Sequence, residues 1–161
     1  MIDISTDRLY LREINDSDAQ NLVRWRSNPN VYRFFKNPIA ISLTSHNYWY
    51  RHIYLFNEND LRFIGYEAFS NSPIGTFSIS RNNPQSKWVE ISYLLDPSAY
   101  GKGYASEAVT ALCTYAKEQW NCDMIIAEIH VDNEASLRLV KRLGFCYLKQ
   151  EGNFLIYKKA V

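Results

Sequence analysis

Two glycines one residue apart, between an apolar strand and a helix, are the residues of this chain best placed to do chemistry. They lie in Tyr100-Gly101-Lys102-Gly103-Tyr104-Ala105, behind a strand from Trp88 to Leu95 and a break at Asp96-Pro97. A helix start leaves backbone N–H groups without internal partners and carries about half a positive charge, so an anion is stabilised there. Lacking Cβ, Gly101 and Gly103 admit positive φ and close approach, which lets successive N–H groups converge on one set of oxygens. Lys102 adds a mobile positive charge. The pattern suits a phosphate, and a plain tight connection would use the same glycines. It is no Gly-x-x-x-x-Gly-Lys-Ser/Thr loop. A dinucleotide fingerprint fits poorly too, since about a hundred residues come first.

Acid–base chemistry has two candidates. Glu90 shares a strand face with Ser92, opposite Val89, Ile91 and Tyr93. Partial burial would raise its pKa and make it a better base; the alternative is a solvent-facing carboxylate paired with Lys87. His130, near the end of a later strand, has an ordinary pKa near ~6.5 and is either a second base or a solvated strand-end histidine. Arginines interleave with aromatics around Trp25, Arg26, Arg33, Phe34 and Trp49. Such a stretch suits an anionic, planar ligand through bidentate contact and stacking. It equally suits a helix core overlaid by arginines with their heads in water.

The elements that position these residues come from a chain of 161 residues, expected to be one domain, 1–161, with a real core. Hydrophobic residues at 47% and charged residues at 22% exclude a disordered chain. Net charge +1 provides no global attraction to nucleic acid or anionic membrane. No apolar run reaches membrane-spanning length and Met1 to Ser5 lacks the signal-peptide pattern, so a cytoplasmic protein is expected. Cys113, Cys122 and Cys146 show no metal-ligand spacing and read as free thiols.

Arg8 to Arg12 alternates as a first strand. Asp16 or Ser17 caps a helix that stops at Ser27-Asn28-Pro29, and Thr44 or Ser45 caps a second bearing Tyr48, Trp49, His52, Ile53 and Phe56. Leu61 to Phe69, Ile74 to Ser80 and Trp88 to Leu95, joined by short turns, read as an antiparallel meander. Behind the glycine turn, Ala105, Ala108, Val109, Leu112, Tyr115 and Ala116 make one helical face. A buried strand follows at Met124 to Val131. Asp132 or Asn133 then caps a helix closed by Gly144, and two strands, Cys146 to Lys149 and Phe154 to Lys158, end the chain.

Glu90 to Leu95, the glycine turn, and Asn133-Glu134-Ala135-Ser136 through Leu143-Gly144-Phe145 together resemble the GNAT superfamily of acyl-CoA N-acyltransferases, in its RimJ/RimL-like branch. The likeness follows element order along the whole chain. It implies an α/β (α+β) fold: a mixed, mostly antiparallel, twisted sheet of about seven strands, with helices on both faces and one parallel βαβ crossover at a cofactor cleft. It also implies acetyl-CoA as cosubstrate, with no metal. Leu94 and Leu95 would meet the pantetheine through their backbone, and the N–H groups of Gly101, Lys102, Gly103, Tyr104, Ala105 and Ser106 would hold the pyrophosphate. Tyr100 stands where the family turn usually begins with Gln or Arg. Asn133 and Ser136 match positions near the cofactor, although helix capping suits both residue types. Val140 stands where many members carry a tyrosine proposed as general acid, so the acid is unassigned and Ser136 is a weak substitute.

The implied activity moves an acetyl group from acetyl-CoA to a primary amine by direct attack in a ternary complex. Glu90, His130 and Ser136 are the catalytic candidates, and Trp25, Arg26, Arg33, Phe34, Trp49 and Ser92 the acceptor contacts. The acceptor would be a small amine, a nucleotide-linked amino sugar or a protein N-terminus. The stretch Trp25 to Asn28 with Arg33 and Ile41 to Leu43 resembles members that act on nucleotide-linked amino sugars. Neither nucleic acid nor membrane is an expected partner; a homodimer is compatible with the pattern. Two readings of other classes stand beside this one: a non-catalytic acyl-CoA-binding module, and a single-stranded RNA binder whose binding would be steeply salt-dependent.

Overall fold

The computed structural model describes residues 1–161. Strand β2 (Leu9–Glu13) turns Leu9 and Leu11 inward, as the alternation predicts, and pairs antiparallel with β3 (Asp60–Glu67). The meander continues through β4 (Ser72–Ser80) and β5 (Trp88–Leu95), both antiparallel to their predecessors. Phe63 and Ile64, neighbours on β3, are both fully buried but in different cores, so the sheet is covered on both faces.

The larger core lies under α4 (Tyr104–Trp120), whose Ala105, Ala108, Val109, Leu112 and Ala116 form the expected face. Burying each Leu or Val is worth ~1.5–3 kcal/mol, so packing fixes α4 on the sheet. Leu139 and Val140 of α5 (Glu134–Arg142) join the same core. On the opposite face the smaller core collects Leu22 and Trp25 of α1 (Ala19–Arg26) and Tyr50 of α3 (Leu43–His52). Helix α4 carries the chain from β5 to β6 (Met124–His130), the one parallel pair.

The sheet has eight strands where about seven were expected. The additional strand is β1 (Asp3–Ser5), which pairs with β2 and is too short to show alternation of its own. At the far edge, β8 (Phe154–Ala160) lies between β6 and β7 (Cys146–Glu151).

Several boundaries differ from the sequence reading for local reasons. Asn15, not Asp16 or Ser17, caps the first turn: its Oδ1 accepts from Ser17 N at 2.9 Å while its own N–H donates to the Asp18 carboxylate at 2.7 Å. Ser42, not Thr44 or Ser45, caps α3 by accepting from Ser45 N at 3.0 Å. That helix ends at His52, leaving Ile53 at the junction and Phe56 in the following 3-10 turn, both largely exposed. Pro29 ends α1 but opens the short α2 (Pro29–Tyr32), because a proline's missing N–H costs nothing at a first helical position. Asn133 caps α5 and Gly144 closes it at φ +86°, with Phe145 N donating to Val140 O at 2.9 Å. All three cysteines are free thiols.

Candidate active site

Strands β5 and β6 pair only from Trp88–Met124 to Glu90–Ile126. Beyond Glu90, β5 stays with β4 as far as Leu95, while β6 stays with β8 as far as His130. A gap therefore opens through the sheet from Ile91 onward. Gly75 of β4 draws the end of β5 away: a Cβ there would lie 2.1 Å from the Leu94 carbonyl oxygen. Asp96 N also donates to Ile74 O at 2.8 Å. Peptide groups alternate along a strand, so Leu94 faces β4 and the peptides that face the gap are those of Tyr93 and Leu95. Of the two leucines expected to offer backbone to a ligand, only Leu95 has its peptide toward the gap; the peptide of Tyr93 faces it in place of that of Leu94.

At the end of β5 the glycine turn has the form that its sequence suggests. Gly101 and Gly103 adopt φ +75° and +79°, and α4 begins without a side-chain cap. None of the N–H groups from Gly101 to Ser106 donates a hydrogen bond within the chain; the first helical bond runs from Glu107 N to Gly103 O at 3.2 Å. Consecutive unused donors at a helix start form a cradle for phosphate oxygens. Tyr100, before the cradle, exposes its ring. Arg8 braces the turn, donating from Nη1 to Lys102 O at 2.8 Å and from Nε to Glu107 at 2.7 Å. Burial pulls the Glu107 carboxyl up, but hydrogen bonds from Thr6 and Arg8 outweigh it and hold the pKa low. Ser106 Oγ is already occupied, accepting from Arg142 at 2.9 Å. Neither Arg8 nor Arg142 carried a sequence signal, since their partners lie far along the chain.

On the opposite face the side chains of Glu90, Ser92, Glu128 and His130 line the two sides of the gap. Glu90 is half-buried and its pKa is raised, first by burial and then by Glu128, with Lys36 opposing. It lies in a groove of about 390 Å³ with Trp88, Glu128 and Glu151. Ser92 Oγ pairs with Ser78 Oγ at 2.7 Å. His130 is not the solvated alternative: its ring lies 5.7 Å from Phe34 and 5.4 Å from Phe154, and its Nδ1 accepts from Asp132 N at 3.1 Å. Residues 33–36 lie against the β6 side of the gap. Lys36 forms an ion pair with Glu128, Phe34 meets His130, and Arg33 is close enough to Tyr100 to favour its ionised form.

The remaining expected acceptor contacts divide. Trp25 does not line the site: its ring is only 2% exposed, and its Nε1 donates to Asp96 Oδ2 at 2.7 Å, tying α1 to the end of β5. Trp49 is half-buried under Arg62, whose guanidinium lies 4.7 Å from its ring centroid. Asn133 spends its Oδ1 on Ser136 N, so both residues serve the helix start as well as facing the gap end of β6. Only two buried side-chain polar atoms lack any hydrogen-bond partner, Arg26 Nε and the Tyr93 hydroxyl. Arg26 makes no ion pair; burial and the like charge of Arg62 both act against its charge, and its contact is the ring of Phe35 at 5.6 Å. No group of His, Cys, Asp and Glu side chains is clustered so as to hold a metal ion, and no helix is long and apolar enough to cross a membrane.

Comparison with known proteins agrees with this geometry. An uncharacterized N-acetyltransferase p20 from Bacillus licheniformis is 29% identical over 160 residues, covering 96% of this chain and 86% of that protein. A domain from Methanocaldococcus jannaschii superposes with a TM-score of 0.84 at 26% identity, covering 96% of this chain and 99% of that one. The ribosomal L7/L12 α-N-protein acetyltransferase RimL, solved in complex with coenzyme A, shares the fold with a TM-score of 0.86 at 19% identity, covering 99% and 98% of the two chains. Residues 8–146 match the model of the acetyltransferase (GNAT) domain. With the phosphate cradle, the parted strands and that match together, the chain belongs to the GNAT acetyltransferases, with a RimL-like fold, and acetyl-CoA is its cosubstrate.

Proposed function

We propose that the protein transfers acetyl from acetyl-CoA to a primary amine whose molecule also carries an anionic group, as a nucleotide-linked amino sugar does. The observation that carries this reading is the Arg26 guanidinium, buried at Nε, without a carboxylate and repelled by Arg62. A guanidinium stays charged, and leaving its buried Nε–H unpaired is costly, so a ligand anion is its natural partner. His46 beside it is buried; burial first, then Arg26 and Arg62, push its pKa down and keep it neutral.

Acetyl-CoA supplies an activated acetyl group and a pyrophosphate. In this reading the N–H groups from Gly101 to Ser106 hold the phosphates with Lys102 nearby, and the gap-facing peptides of Tyr93 and Leu95 hold the pantetheine arm. Asn133 and Ser136 border that arm from α5. Glu90 takes the proton that the amine must lose, directly or through water, helped by its raised pKa; His130 is the second candidate on the other bank of the gap. Arg33, Phe34, Trp49 and Ser92 border the acceptor.

A second reading follows from Lys36, whose ammonium rests on Glu128 with Glu90 close by. That contact marks an acidic face complementary to an alkylammonium, which favours a cationic acceptor. Thiol release from acetyl-CoA, measured with nucleotide-linked amino sugars, peptides with free N-termini and polyamines, separates the two. Preferred turnover of the anionic amines, lost in Arg26→Met, supports the first reading. Turnover of polyamines with Arg26→Met unaffected overturns it.

A further inference from the structure

Arg26 has a ligand class to explain it, but the other unpaired buried group, the Tyr93 hydroxyl, does not. Three other phenols packed near the sheet are engaged. Tyr54 donates to Glu13 at 3.3 Å and accepts from Arg62 N at 3.1 Å. Tyr66 accepts from Arg12 at 2.8 Å, and Tyr104 donates to Glu67. Buried hydroxyls are nearly always hydrogen-bonded, so an exception needs a reason.

Its position supplies one. Tyr93 lies on β5 three residues beyond Glu90, where pairing to β6 has ended. Its peptide faces the gap, and its side chain lies on the α4/α5 face of the sheet among the partly buried residues of the larger core. Ser136, on the first turn of α5, stands beside the hydroxyl without closing a hydrogen bond of acceptable geometry. One turn further along α5 comes Val140, fully buried and unable to donate. At this end of the gap, Tyr93 and Ser136 therefore bring two hydroxyls together.

We propose that the Tyr93 hydroxyl is a catalytic residue of acetyl transfer, donating a hydrogen bond to the sulfur that leaves, with Ser136 orienting it. In the step, the amine nitrogen bonds to the acetyl carbon and the carbon–sulfur bond breaks, its electron pair going to sulfur. The amine's proton passes to Glu90 or water. The thiolate is stabilised by the Tyr93 O–H and later takes a proton from solvent. A coenzyme A thiol with a pKa near ~8.5 is more acidic than a phenol near ~10. Burial raises the phenol further, so the proton stays mainly on oxygen. Tyr93 thus acts as a hydrogen-bond donor and not as a full acid. The proposal rests on acetyl-CoA as cosubstrate and is independent of the acceptor.

The test uses free coenzyme A and no acceptor. The thiolate of enzyme-bound coenzyme A is titrated by its ultraviolet absorbance in the wild type and in Tyr93→Phe, with affinity read by calorimetry and unfolding temperature measured on the ligand-free proteins. The expected result is a bound thiol about one pKa unit more acidic in the wild type than in Tyr93→Phe, a tenfold difference in ionisation. Because the lost hydroxyl has no partner, the ligand-free variant should unfold no earlier than the wild type, whereas Tyr54→Phe should unfold earlier. Ser136→Ala should move the thiol titration in the same direction by less. Identical thiol titrations, or a clear fall in unfolding temperature for Tyr93→Phe, would overturn the proposal. Failure of the wild type to bind coenzyme A sinks it together with the cosubstrate reading. An inactive acceptor panel with the expected thiol shift leaves Tyr93 in place and removes only the acceptor reading.

Discussion

From Gly101 to Ser106 the site offers peptide N–H groups, whereas across the sheet it offers Arg26, Glu90, Glu128 and His130, side chains gathered from α1, β5 and β6. The first surface is contiguous in sequence and depends on two backbone angles. The second exists only when the sheet has brought distant residues together. A local surface of this kind tolerates exchange of side chains but not of glycines; the assembled one has the reverse sensitivity.

Exchanging residues on each side tests that difference. The largest effect is expected for Glu90→Gln, which should lower turnover about 100-fold, the usual contribution of a positioned base. Because the folded pKa of Glu90 is raised, the folded state holds its proton to higher pH than the unfolded chain. Its contribution to stability is thus present below the ordinary glutamate range and is lost as pH rises through the raised pKa. Wild-type turnover should climb over that same interval, and Glu90→Gln should show neither change in pH profiles of rate and unfolding.

Gly103→Val comes next. At φ +79° a branched side chain is strained, and its Cβ would also lie 3.3 Å from Arg8 Nη2. Coenzyme A affinity by calorimetry should fall about 30-fold, or ~2 kcal/mol, with any acceptor binding measured separately unchanged. Arg26→Met should raise the acceptor KM about tenfold, as loss of a charge-assisted contact does, and leave coenzyme A affinity intact. Its unfolding temperature should not drop, since the variant removes an unpaired buried charge. The smallest change is Trp25→Phe. Losing the bond to Asp96 should cost ~1 kcal/mol and about 3 °C in unfolding temperature, with turnover retained, because Trp25 is scaffold.

The same contrast explains what could be read from the chain. The glycine turn, α4, the Gly144 cap and the meander depend on short-range patterns and appear as expected. Glu90 was legible as well, since strand alternation alone assigns its face. Trp25 was not: its composition resembles that of a ligand platform, and only the distant Asp96 shows that its ring is buried. The orphaned Tyr93 hydroxyl could not be found from sequence, because being unpaired is a property of everything around it. The choice between Leu94 and Tyr93 as a gap-facing peptide likewise depended on Gly75, about twenty residues earlier. Strand β1 escaped notice because three residues, with Ile4 the sole apolar one, carry no period.

The parting of β5 from β6 opens the sheet from one face to the other, with the α4 cradle at one mouth and Glu90, Glu128 and His130 at the other. Two entrances mean two independent queues. In the proposed ternary complex neither substrate would have to depart before the other arrives, so initial-rate lines at varied concentrations of both should intersect. Spent coenzyme A should then compete with acetyl-CoA and not with the amine, because coenzyme and amine would occupy separate doors.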